Sequence, residues 1–131
     1  MKIIIALVIL LGTLGAGYYF LFRPMPISQT DLPKISELQK QPLTVVYTNE
    51  GYFPKQISVK KGESVKFVNM SDRMVWTASD EHPAHNIYPE FDQKTVGGKG
   101  KEYTFKFEKV GTWNYHNHTY AQHLGTVTVT E

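Results

Sequence analysis

Two regimes of hydrophobicity divide the chain. From Ile3 to Phe22 every residue is apolar, small or aromatic without one charge, and the run is bracketed by Lys2 and Arg23. From Leu43 onward, apolar positions alternate with polar ones: Ile57 and Val59, Val65 and Phe67, Tyr103, Phe105 and Phe107, Trp113 and Tyr115, and Val127 and Val129 each mark one face of a strand. Turn-forming residues fall between these runs, at Asn49-Glu50-Gly51, Lys60-Lys61-Gly62-Glu63, Gly97-Gly98-Lys99-Gly100 and Lys109-Val110-Gly111. Strands with a single apolar face bury it only against a second sheet or by closing on themselves. The expected fold is therefore all-β, a sandwich or barrel of about ninety residues. The long segment without alternation, Asp80 to Gly97, is a functional-loop candidate because ordinary connections are much shorter.

The apolar run of 20 residues is long enough to cross a bilayer as a helix. Cleavage as a signal peptide is the competing reading, since Gly15, Ala16 and Gly17 supply small residues where a peptidase cuts. Against it, the run exceeds a usual signal core of about 7–15 residues and ends in Tyr18-Tyr19-Phe20-Leu21-Phe22, which suits an interfacial aromatic belt. We expect residues 1–23 to be a transmembrane signal-anchor. Residues 24–42, punctuated by Pro24, Pro26, Pro33 and Pro42, read as a linker in which Asp31 caps a short helix through Lys40. Residues 43–131 then form the domain.

Composition narrows the chemistry. The 14 Lys plus Arg against 12 Asp plus Glu leave a formal charge of +2 with no basic stripe, which argues against nucleic acid as a partner. The absence of cysteine excludes disulfides, thiolate metal sites and thiol nucleophiles together. Ser79, Asp80 and His82 have the residue types of a hydrolytic triad, but they are too close in sequence for its geometry and no nucleophile elbow surrounds them. Catalysis is not expected. Asn69-Met70-Ser71 and Asn117-His118-Thr119 fit the glycosylation pattern only formally.

The segment Tyr52-Phe53-Pro54-x-x-Ile57-x-Val59-x-x-Gly62-x-x-Val65-x-Phe67-x-Asn69 resembles the opening strands of the cupredoxin family, and within it the small exported domains of the EfeO type. Gly111-x-Trp113-x-Tyr115-His116, followed by Gly125-Thr126-Val127-x-Val129, resembles its closing strands. The resemblance covers roughly residues 43–131. It implies a cupredoxin-like Greek-key β-sandwich, outside the cytoplasm, with copper bound by His, Cys, His and an axial Met. This sequence departs from that set at every ligand. The family's first His falls on Trp76, its Cys on Asn117, its second His on Tyr120 and its Met on His123. A blue copper centre needs the short Cu–thiolate bond, so Trp76, Asn117 and Tyr120 are expected to plug a vacated pocket instead.

All five histidines, His82, His85, His116, His118 and His123, lie within one part of the chain. His116 and His118 are two apart on a strand, so their rings leave one face while Asn117 points to the other. His-x-His here, and His82-Pro83-Ala84-His85, each resemble copper-binding segments of multicopper oxidases, although the third His of the latter motif is absent. Together they suggest a relocated site, with the Asp80–Asp92 loop folded over the last strands and His123 joining from the next loop. Imidazoles without thiolate favour copper(II), with zinc as the alternative ion. The expectation is a single-pass membrane protein whose extracytoplasmic domain binds copper, acts in copper handling or electron transfer, and meets an envelope redox or transport protein. The alternative is a metal-free interaction module, in which these histidines merely anchor a loop beside solvated Asp80, Glu81, Glu90 and Asp92.

Overall fold

A computed structural model describes Ser28 and residues 30–131. The apolar segment expected to span a membrane lies outside the described residues. Among the described residues, no helix is long and apolar enough to cross one.

Among the described residues, one helix, α1 (Leu32–Gln39), precedes eight strands: β1 (Thr44–Thr48), β2 (Gly51–Phe53), β3 (Gln56–Lys60), β4 (Ser64–Asn69), β5 (Thr77–Ser79), β6 (Glu102–Lys106), β7 (Gly111–Asn117) and β8 (Tyr120–Thr130). Asp31 occupies the N-cap position of α1, but its side chain makes no cap bond; the carboxylate pairs with Lys99 instead. The helix is held by packing, as Ile35 joins Val46, Val68 and Met70 on the outer face of the first sheet. Residues just before the expected domain boundary therefore lie against the sandwich.

Two four-stranded sheets form that sandwich, ordered β2-β1-β4-β6 and β3-β8-β7-β5. Pairing is parallel between β1 and β4 and between β3 and β8, and antiparallel elsewhere. Every alternating position singled out in the sequence faces the shared core or packs at its margin, which also takes Val45, Tyr47, Tyr52, Tyr88 and Phe91. Gly125 lets β8 pass close over this core, since a Cβ there would sit 2.2 Å from the Tyr115 ring.

The connection from β5 to β6 has no regular structure, yet it is pinned. Tyr88 is 2% exposed and Phe91 fully buried. Their rings stack or meet edge-on with Phe105, Phe107, Trp113 and Tyr115, at centroid distances of 4.8 to 6.2 Å. The Ser79 hydroxyl donates to Tyr88 O at 2.9 Å, and isolated bridges tie Ala78 to Asp92 and Val75 to Gly97. Two buried aromatic anchors thus fix the segment between them and β5, which carries His82 and His85 across β7.

Candidate metal centre

Alternation along β7 places Tyr115 toward the core and His116 on the opposite face; Asn117 is buried at the strand's end, and His118, the first residue of the turn after it, lies with His116. Opposite His116, β5 presents Ala78, whose methyl group leaves room for an incoming loop. The loop brings in His82 and His85, and one ring nitrogen from each of His82, His85, His116 and His118 falls within a 4.8 Å span. His82 Nδ1 lies 3.2 Å from His116 Nε2, and His118 Nδ1 lies 2.9 Å from His85 Nε2. Each close pair joins one loop histidine to one strand histidine. Adjacent nitrogens around an ion bound at about 2.0–2.1 Å are themselves about 2.9–3.4 Å apart, so each close pair has the spacing of neighbouring ligands, and the four-nitrogen set, up to 4.8 Å across, would close by about half an ångström to share one ion.

Two carboxylates stand behind the rings. Asp80 Oδ1 is 3.1 Å from His116 Nδ1, and Asp92 Oδ2 is 3.1 Å from His85 Nδ1. An ionised carboxylate only accepts, so both Nδ1 atoms carry protons and both Nε2 lone pairs face inward. Asp92 is itself held by Trp76 Nε1–H and the Lys94 N–H. Burial works to raise its carboxyl, but these donors and His85 together keep it below the usual carboxylate range. Burial lowers His116 beneath the ordinary imidazole value, and the opposing pull of Asp80 does not cancel it. Burial, followed by the neighbouring charges of His85 and His82, lowers His118 as well. Both effects favour the neutral rings that a metal requires.

His85 sits in the left-handed region at φ 51°, uncommon for a residue with a side chain. Its N–H donates to Glu81 O at 2.7 Å, and Asp92 holds its ring, so the conformation is set from both ends. The Trp76 indole lies 4.4 Å from the His118 ring and 5.9 Å from His85, which makes it a wall of the cluster.

His123 lies elsewhere. Its Nδ1 is hydrogen-bonded to Tyr47 Oη at 2.8 Å, and Asn117 Nδ2 donates to the same oxygen at 2.9 Å. Asn117 is fully buried at the position of the family's thiolate. Its Oδ1 accepts from the Trp76 N–H and the Thr119 N–H, and its Nδ2 donates to Met74 O as well as Tyr47, while the Thr119 hydroxyl, 2.9 Å from Oδ1, has its shorter contact, 2.7 Å, with Met74 O. The amide is saturated, and no donor set for a thiolate copper site exists there. Of the residues expected to plug that pocket, Asn117 does so. Tyr120 instead lies at the surface, packed against His123 and beneath Arg73, and the Trp76 ring turns toward the histidines. The asparagines of both glycosylation patterns, Asn69 and Asn117, are buried.

Asp80, Asp92 and Trp76 have roles that the sequence reading did not assign. Asp80 lies two residues before His82 and Asp92 seven after His85, but the segment is neither strand nor helix, so spacing there does not report a shared face. Only the aromatic pair Tyr88 and Phe91 within the same segment hinted that it folds inward.

A family model for copper binding proteins, the plastocyanin/azurin family, matches residues 43–130. No curated protein matches the chain. Similar solved structures include a purple cupredoxin from Nitrosopumilus maritimus, at 16% identity over 66% of this chain and 98% of that one with a TM-score of 0.55. Oxidized plastocyanin from Dryopteris crassirhizoma is 20% identical over 66% of this chain and 99% of its own, with a TM-score of 0.53. The copper-containing nitrite reductase from Thermus scotoductus is 22% identical over 85% of this chain but only 26% of its own, with a TM-score of 0.58. At these identities the likeness establishes the fold. With the family match spanning most of the described residues, the chain belongs to the plastocyanin/azurin family of copper-binding proteins, the cupredoxins.

Proposed function

We propose that this cupredoxin binds copper through His82, His85, His116 and His118 rather than at the family's thiolate position. On this reading it is a single-pass membrane protein of the extracytoplasmic face, acting in copper handling or electron transfer and not as an enzyme. The convergence of four imidazoles backed by two carboxylates carries the proposal. Copper, once bound, supplies a Lewis-acidic and redox-capable ion; the chain's own residues orient the four donors, and burial favours the neutral form of His116 and His118. Copper is preferred over zinc for such donors by the general affinity order of divalent ions. The uncharged segment from Ile3 to Phe22 supports a membrane tether, and the likeness of Tyr52–Asn69 to EfeO-type domains supports export and an envelope redox or transport partner. A metal-free interaction module is the second reading; against it, the four rings converge on one another and on carboxylates instead of being spread over backbone carbonyls.

The test is titration of the full-length chain, kept in mild detergent, with Cu(II). Saturable binding of one equivalent is expected, with a tetragonal paramagnetic resonance signal and no intense blue band. Replacing the four histidines by alanine abolishes it, whereas His123→Ala leaves it in place. Absence of stoichiometric binding, or undiminished binding in the fourfold variant, refutes the proposal.

A further inference from the structure

The two carboxylates behind the rings have no cationic partner of their own. Among the described residues, no lysine or arginine pairs with Asp80 or Asp92; their ion-pair partners are His116 and His85. Asp92 is 13% exposed and cannot swing away, because Trp76 Nε1 and the Lys94 N–H donate to its other oxygen at 2.6 and 2.8 Å. His116 and His85, between the carboxylates and the centre, are 1% and 6% exposed. Asp92 is poorly screened by salt in such surroundings, whereas Asp80, 34% exposed, acts on the centre through the buried His116 ring; the sum of the two charges still matters there.

We infer that Asp80 and Asp92 make this a centre for a divalent ion, in which copper is held as Cu(II) rather than cycled between oxidation states. The inference rests on the four histidines being the ligands and adds the charge of the ion they take. Four neutral imidazoles contribute nothing, and two carboxylates contribute two negative charges. A divalent ion brings the total to zero, whereas a monovalent ion leaves one negative charge uncompensated in a partly buried site. Hydrogen bonding to a carboxylate also raises the basicity of the ligating nitrogen, which strengthens its hold on the more highly charged ion. Both effects act in one direction, lowering the Cu(II)/Cu(I) potential. An electron shuttle must give up the oxidised state readily; this centre suits receiving and passing on a divalent ion. Asp80 and Asp92 act through His116 and His85, as positioning residues.

The full-length chain in mild detergent is titrated with Cu(II) and, separately under argon, with Cu(I) buffered by bicinchoninate. Wild type is expected to bind Cu(II) the more tightly. Asp80→Asn is the main variant, since asparagine keeps an oxygen to accept from His116 Nδ1 while removing the charge. It is expected to weaken Cu(II) binding tenfold or more and change Cu(I) binding less than about threefold. Each tenfold change in that ratio is about 59 mV of potential for one electron. Asp92→Asn shifts the ratio in the same direction, and Glu102→Gln, at an exposed carboxylate on β6 paired with Lys66 of β4, leaves it unchanged. Parallel loss of both affinities, or an unchanged ratio, overturns the inference while leaving the imidazole site standing. A wild-type chain that binds neither ion removes the site itself.

Discussion

Replacing Asn117 by alanine separates the vacated pocket from the histidine centre. The amide joins four neighbours, and the loss is uneven among them. The Trp76 N–H gives up its side-chain acceptor at the margin of the core, which costs about 1–3 kcal/mol. Tyr47 keeps His123 as a partner and Met74 O keeps the Thr119 hydroxyl at 2.7 Å, so these lose about one net hydrogen bond each. Thr119 is exposed, and its N–H turns to water. The sum, with the small void left behind, is about 3 kcal/mol. For a domain of about a hundred residues that corresponds to a fall in Tm on the order of 15 °C. The histidine rings leave the other face of β7, so Cu(II) affinity is expected to stay within about tenfold of wild type. Thermal unfolding of the metal-free chain gives the first number and copper titration below the lowered Tm gives the second. A Tm change under about 3 °C would show that the amide holds nothing; lost copper binding in a folded variant would put the ion in the old pocket.

Acidification should destabilise the metal-free domain from near neutrality. His116 and His118 have folded values below the unfolded one of about 6.5, so the unfolded chain takes up protons first and stability falls as pH drops through that value. Asp92, held low in the fold, extends the loss into the carboxylate range. Urea unfolding at pH 7.5, 6.5 and 5.5 checks the sign, and a midpoint rising toward acid contradicts it. Copper release by acid should have its midpoint below pH 6.5 for the same reason, read from the paramagnetic signal. Gly125→Ala places a methyl 2.2 Å from the fully buried Tyr115 ring, and overpacking of this kind costs about 1–3 kcal/mol, visible as a lowered Tm with the copper signal of any folded fraction unchanged. Asn117→Cys restores only the thiolate, beside Trp76 and Tyr120 where the family has histidines, so no intense blue band is expected on adding copper.

The sandwich was legible because its strands each keep one dry face. Ile57, Val59, Val65, Phe67, Tyr103, Phe105, Trp113, Tyr115, Val127 and Val129 alternate with polar neighbours and occupy the strands that their period implies. β1 was harder to read, because α1 covers its outer face and all five residues are buried, which erases the period of two. β5 has only three residues, too few to show any period. Within the centre, the strand pair His116 and His118 followed from spacing alone, and the loop pair from length and composition. His123 shares their residue type but not their neighbours, since Tyr47, distant in sequence, claims its nitrogen. Asp80 and Asp92 looked like solvated charges because nothing in the sequence distinguishes an acid facing water from one facing an imidazole. That distinction arises only when Tyr88 and Phe91 are buried and draw the loop down with them.

One strand links the buried amide of Asn117 to the histidine cluster. On the inner side of β7, a residue at position 117 must be buried, and without a thiolate the site is closed by an amide that ties together β1, the Trp76 backbone and the turn before β8. On the outer side, the same three residues from 116 to 118 present two imidazoles to a loop. Closing the inner pocket stiffens the strand on which the outer pair is mounted, and Trp76 connects the two directly: its backbone N–H binds Asn117 while its indole binds the carboxylate that orients His85. An amide at 117 is therefore compatible with a metal centre nearby in a way that a buried apolar residue is not, since an apolar side chain would fill the same space and leave the Trp76 N–H without its acceptor. The prediction that separates these cases is Asn117→Leu: it fills the volume, so loss of stability beyond that expected for repacking measures the hydrogen bonds, and any accompanying loosening of copper binding measures how far Trp76 transmits it. If stability is unchanged and Trp76 fluorescence in the metal-free chain stays as in wild type, the amide network has no mechanical role and the two sites are independent.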